Sequence, residues 1–387
     1  MLKGAVRPSL LGLGLVVLVS ALAASACHSP KQPDKPKPTE GATSRTGTTA
    51  IRAQFDAAYR FQEGVAAVRI GDNQTGKVGY IDKQGSYVIA PQFDDGGGFS
   101  EGLAVVSVGA GEMAKWGYID KQGKLTIKPQ FDSAQPFSQG LAAVRIGDRA
   151  NGKWGYIDKQ GSMVISPRFR TASGFVEDLG VVCVGDGETV KCGYIRKNGT
   201  YAITPRFDGA RSFAEGLAPV RFTNGMTDKW GYIDKQGQTV IKPEFDAAEP
   251  FEDERALVRI GDYKTGKWGY IDKQGQLVIK PQFDGAQYLR ERRAAVRIGE
   301  FGTGKWGYID QTGRIVINPQ FSDAFSFGDG LAVVLVGDWG SGKWGYVDPN
   351  GRLIIKPQYA GATSFHEGLA AVLVDDGKTR KWGYVFR

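Results

Sequence analysis

The nonapeptide KWGYIDKQG, Lys115 to Gly123, limits this chain more than any other feature. It recurs from Lys153, Lys229 and Lys267, and in altered form from Lys77, Lys191, Lys305, Lys343 and Lys381. Its first glycine falls at Gly79, Gly117, Gly155, Gly193, Gly231, Gly269, Gly307, Gly345 and Gly383, always 38 residues apart. A period held over nine copies without an insertion means one unit stacked on copies of itself, sharing a core with its neighbours. The 387 residues therefore predict one array, not two or three independent domains.

The unit from Phe131 to Arg168 shows the expected local structure. It opens with FDSAQPFSQG, a compact connector in which Asp132 caps a turn and Phe131 and Phe137 anchor it. Leu141 to Gly147 is rich in small and β-branched residues and lacks a helical period, so it predicts a strand. Lys153 to Asp158 predicts a second strand with its aromatics two apart, on one face. Asp158-Lys159-Gln160-Gly161 fits a type I turn, and Asp348-Pro349-Asn350-Gly351 supports it with proline in second place. Ser162 to Pro167 is the third strand, its pairing limited by the proline. The fold class is all-β, with each unit a three-stranded antiparallel meander.

KWGYID, then KQG, VIKPQFD and F-x-E-G-L-A, in that order and at constant period, resemble the bacterial WG-repeat family, also called KWG repeats. The resemblance covers Ile51 to Arg387, with Val78 and Cys192 standing where tryptophan is usual. It implies a β-rich repeat protein, often exported, of variable repeat number, and supplies no catalytic residue. Two shapes fit. The array ends at KWGYVFR without a third strand, and TAIRAQF before the first unit supplies a spare one, the offset that closes a propeller-like ring of nine units. Nine blades exceed the usual four to eight and three strands are few for a blade, so an open twisted β superhelix is the leading expectation and the ring the alternative.

Residues 1–26 have the layout of a signal peptide: Lys3 and Arg7, an apolar run from Leu10 to Ala24, then Ala24-Ser25-Ala26 before Cys27. The run is short for a membrane span. Small residues directly before a cysteine resemble a lipobox, so Cys27 is the expected lipid attachment site, with plain secretion as the alternative. Residues 27–49 are rich in proline, lysine and threonine and predict a disordered tether, leaving 50–387 as the array. His28 after Cys27 points to the outer membrane of the cell envelope.

The net charge of +8 is mixed along every repeat rather than blocked, which argues against a nucleic-acid partner. With two histidines, three cysteines and no metal, nucleotide or protease motif, the chain is read as a non-enzyme without metal or cofactor. Trp116, Trp154, Trp230, Trp268, Trp306, Trp344 and Trp382 are expected to pack unit on unit; a polysaccharide platform is the alternative. Arg69, Arg145, Arg221, Arg259 and Arg297 recur nine residues before the tryptophan position, and symmetric folding of the hairpin puts Arg145 across from Trp154. In the fourth unit Cys183 and Cys192 replace that pair, so a disulfide between them is expected, with two buried thiols as the alternative. In units six and seven the connector's E-G-L-A becomes Asp253-Glu254-Arg255-Ala256 and Glu291-Arg292-Arg293-Ala294. Arg255, Arg290, Arg292 and Arg293 are therefore candidate ligand-binding residues for an acidic partner, neutral drift being the other reading. The functional expectation is an envelope-tethered scaffold for a protein partner.

Overall fold

The computed structural model describes residues 45–72, 74–109, 111–223 and 228–387. The signal peptide, Cys27 and nearly all of the tether lie outside the described residues. Among the described residues the chain forms nine four-stranded antiparallel sheets, here called blades 1 to 9 in chain order. Blade 3 is typical: Ser133–Ala134, Ala142–Ile146, Lys153–Ile157 and Met163–Phe169. Arg145 is opposed to Trp154, and Trp154 to Phe169. The Asp158 turn forms as expected: Gly161 N–H donates to Asp158 O at 3.0 Å, and Gly161 has φ 81°.

Two expectations need correction. The unit is not a three-stranded meander. Its connector contributes a further strand of two residues, Ser133–Ala134, paired with Arg145 and Val144. Two residues are too few to leave a period in the sequence. The array is also not an open superhelix but the nine-unit ring. Thr49–Phe55 pairs with Arg380–Phe386 and completes blade 9 beside Leu369–Asp375 and Gly361–Ala362. An open array would leave both strands as bare edges; closure pairs each with the other.

The seam has the same bonds as the interior interfaces. Tyr384 donates to Tyr59 O at 2.7 Å across it, as Tyr156 donates to Ser173 O at 2.8 Å between blades 3 and 4. Lys381 Nζ meets Asp56 Oδ1 at 2.6 Å, as Lys115 meets Asp132 at 2.6 Å. The fold is therefore a nine-bladed β-propeller whose closing interface is a repeat of the others.

The fully buried spine between blades is tyrosine, and the seven tryptophans pack half-buried against the same inter-blade clusters, as expected. Tyr80, Tyr118, Tyr156, Tyr194, Tyr232, Tyr270, Tyr308, Tyr346 and Tyr384 are fully buried. Tyr156 packs on Phe175 of the next blade with ring centroids 5.0 Å apart. Tyr232→Phe removes the hydroxyl that satisfies Glu249 O at 2.8 Å. It is expected to cost about 1–2 kcal/mol, measured by urea denaturation, because a buried carbonyl loses its donor.

Candidate functional site

The strands run between two faces. One carries the hairpin loops that join second and third strands. The other carries the connectors and the Asp-x-x-Gly turns.

On the connector face, nine side chains that accept hydrogen bonds sit in left-handed backbone: Glu63, Glu101, Gln139, Glu177, Glu215, Asp253, Glu291, Asp329 and Glu367, with φ between 49° and 54°. Among the described residues, all but Asp253 accept a backbone N–H of the next blade and so clamp it. Gly140 N–H donates to Glu101 at 3.0 Å, and Lys159 Nζ lies 3.2 Å from the same carboxylate. The seam obeys the rule, with Gly64 N–H on Glu367 at 3.1 Å and Lys83 at 3.0 Å.

Blades 6 and 7 depart from it. Glu254 and Arg292 take the glycine place and keep φ at 63°, a conformation that costs a long side chain about 1 kcal/mol. Asp178 does the same in blade 4 at 69° and keeps its clamp, its N–H donating to Gln139 at 2.8 Å. Glu254 N–H still donates to Glu215 at 3.1 Å. Arg292 N–H makes no such bond to Asp253 among the described residues, so blade 7 carries the strain without the clamp.

Of the four candidate arginines, Arg255 and Arg293 occupy the core position of Leu141 and Leu331, half-buried. Each donates Nη1 to the preceding carbonyl at 3.0 Å. Arg290 Nε donates to Glu252 Oε1 at 2.8 Å, and exposed Arg292 reaches only Gln311 at 3.4 Å. The structure thus places all four on one face of adjacent blades, but only Arg290 and Arg292 stand clear of their own backbone. Arg60 joins them from blade 1. Its guanidinium has no hydrogen bond or ion pair among the described residues, and desolvation, then the charge of Arg290, lowers its pKa. No sequence pattern points to Arg60, because the charge that acts on it, Arg290, belongs to a connector far along the chain.

On the loop face, the seven tryptophans Trp116, Trp154, Trp230, Trp268, Trp306, Trp344 and Trp382 are each half-buried. Arg145, Arg259 and Arg297 lie 6.0, 5.6 and 6.0 Å from the ring centroids of Trp154, Trp268 and Trp306. Arg221 instead leaves Trp230 to Arg211, at 5.3 Å. These tryptophans are backed by neighbours and are not a free ladder. In blade 4 the opposed Cys183 and Cys192 are joined as a disulfide, with Cα atoms 4.0 Å apart.

Asp323, in the two-residue strand of blade 8, is held up to about 6 by burial, with Ala324 N–H and Arg297 pulling the other way. A carboxyl raised in the fold takes stability away as pH climbs from its unfolded value toward its folded one. Asp323→Asn is expected to match wild type at pH 3.8 and to exceed it by about 2 kcal/mol above pH 6 in denaturation series.

Among the described residues no group of three or more His, Cys, Asp or Glu is arranged to hold a metal. No helix there is long and apolar enough to cross a membrane. In solved structures the propeller resembles a protein described as a eukaryotic initiation factor. That likeness has a TM-score of 0.56 and 12% identity, covering 81% of this chain and 90% of that one. Prolyl endopeptidases match at TM-score 0.45 and 11% identity, over 79% of this chain and 55% of theirs. The Pyrococcus horikoshii acylaminoacyl peptidase matches at 0.41 and 11%, over 85% and 58%. At these identities the first likeness shows the fold alone, and the peptidases carry no argument. No curated protein sequence matches the chain. The family model for the WG containing repeat matches nine times, at residues 44–73, 79–110, 116–149, 154–187, 193–225, 230–263, 268–300, 306–338 and 344–378. The motif glycines, the tyrosine spine and the nine matched segments make this chain a member of the WG-repeat family.

Proposed function

We propose that the propeller is a non-enzymatic recognition scaffold of the cell envelope, tethered by a lipid on Cys27, that binds an acidic protein partner through the connector face of blades 6 and 7. The observation that carries this is Arg292: a strained left-handed arginine, unclamped, where most blades place glycine. Asp178 and Glu254 carry the same strain but keep a clamp that offsets it; strain kept without that bond is a sign of selection for something other than stability. Arg290 and the unpartnered Arg60 add positive charge beside it. The Cys183–Cys192 disulfide in place of the usual pair supports an oxidising compartment, in line with export.

The test pairs two readouts. The mature lipoprotein and its Arg292→Gly/Arg293→Leu variant are used as bait on native membranes, and both are unfolded in urea. The variant is expected to gain about 1 kcal/mol while losing capture. Capture unchanged in the more stable variant would remove the connector face from the account. Mass spectrometry of the mature N-terminus checks the anchor, and an unmodified Cys27 would refute it.

A further inference from the structure

The loop face carries a feature unrelated to the connector arginines. Tyr263, Phe301 and Trp339 occupy the same hairpin-loop position in blades 6, 7 and 8, and they are 87%, 92% and 56% exposed. The other six blades hold Asn73, Gly111, Arg149, Gly187, Gly225 and Gly377 there, so the hairpin does not need an aromatic residue to close. Three adjacent blades nevertheless present a large ring to solvent at a point where the fold accepts glycine.

The loops beneath these rings share one geometry. Gly266, Gly304 and Gly342 N–H donate to the carbonyls of Asp262, Glu300 and Asp338 at 2.9, 2.8 and 2.7 Å. Tyr263 and Phe301 are also backed. The Arg259 guanidinium lies 5.7 Å from the Tyr263 centroid and 5.6 Å from that of Trp268. Arg297 lies 5.5 Å from Phe301 and 6.0 Å from Trp306. An arginine layered between two aromatics holds the outer ring in place and keeps its far side open. In blade 8 Leu335 stands for the arginine, and Trp344 packs on Phe325 at 5.7 Å instead.

We infer that Tyr263, Phe301 and Trp339 form a glycan-binding arc that holds one polysaccharide chain at three separated sugar rings. The choice of occupant rests on periodicity. One residue class repeated at one position in consecutive blades is a periodic reader, and it suits a ligand with a periodic chemical unit. A sugar ring has an apolar C–H face to lay on an aromatic ring and hydroxyls at its edge. Asp262, Glu300 and Asp338, exposed on the same loops immediately before their rings, are available to bond such hydroxyls. A folded protein partner has no reason to meet the same residue class three times at equal intervals. Exposed aromatic clusters on soluble proteins mark binding surfaces. This inference does not depend on the connector-face reading, since it uses the opposite end of the blades.

The experiment uses the mature full-length chain, titrated calorimetrically with chitohexaose, cellohexaose and maltohexaose and sedimented with insoluble peptidoglycan. At least one of these glycans is expected to bind. The matching disaccharide should bind about tenfold or more weaker, because it reaches one ring and not three. The variants are Phe301→Gly and Tyr263→Gly/Phe301→Gly/Trp339→Gly, which install the residue already present in blades 2, 4 and 9 and so preserve the fold. Phe301→Gly is expected to weaken binding by about tenfold or more, and the triple variant to abolish it. Arg292→Gly should leave glycan binding unchanged. No binding to any of the four glycans overturns the inference, as does a triple variant that binds like wild type.

Discussion

Gly231→Ala is expected to unfold the propeller or to destabilise it by about 3 kcal/mol or more in urea denaturation. A Cβ on this residue would lie 2.5 Å from Ile241 O and 2.8 Å from Pro243 N. Both are backbone atoms of the fourth strand, so no side chain can swing aside. All nine motif glycines share the contact: Gly155 would meet Ile165 O at 2.4 Å, and Gly383 would meet Ile51 O at 2.6 Å across the seam. The ladder shifts register at this point, between Trp230 and Tyr232, as the fourth strand folds over the third. That crossing lets the chain leave Phe245 and begin the next blade at Ala247, with one residue between. Gly216→Ala is the control. Gly216 has φ 87° and nothing within 4 Å, so it should lose only the left-handed preference, about 1 kcal/mol. Equal losses at the two sites would contradict the crossing.

Deleting residues 45–55 is expected to lower the melting temperature by about 10 °C or more and to cause self-association. The deletion removes the fourth strand of blade 9 and with it Ile51 and Phe55, which are 4% and 0% exposed. It uncovers fully buried Tyr384, on which Phe55 and Phe61 pack at 6.5 and 5.0 Å. It also bares the backbone edge of Arg380–Phe386, a template for pairing with another chain. Light scattering after size exclusion and a thermal melt read both effects. A separate peptide of residues 45–60 should restore the monomer. A deleted chain that stays monomeric at an unchanged melting temperature would mean that the seam contributes nothing.

Much of the fold was legible because the repeat compares nine versions of each position. The opposition of Arg145 to Trp154 followed from hairpin symmetry, and the same symmetry placed Cys183 across from Cys192. The connector strand was not legible, since Ser133–Ala134 has no room for an alternating pattern. Closure was half legible. The spare strand at Ile51 signalled it, but the usual blade number outweighed that sign. The deciding fact is an interface, Lys381 on Asp56 and Tyr384 on Tyr59, that joins residues 325 apart. Tryptophan drew attention as the largest side chain of the motif, yet the buried spine is the tyrosine two residues on, where hydroxyl and ring both reach the next blade. Tyr263, Phe301 and Trp339 carry no motif signal because they fall between the motifs. They share a register only when the loops are aligned by the period, and only exposure separates a surface ring from a core one.

The ring itself is tested most directly by zero-length carbodiimide crosslinking of the monomer, followed by peptide mass spectrometry. The closed propeller predicts amide bonds between Lys381 and Asp56, 2.6 Å apart, and between Lys83 and Glu367, 3.0 Å apart. They should form about as readily as the interior bond between Lys115 and Asp132, also 2.6 Å apart. Interior crosslinks without either seam crosslink in the monomeric fraction would contradict closure and return the nine repeats to an open array.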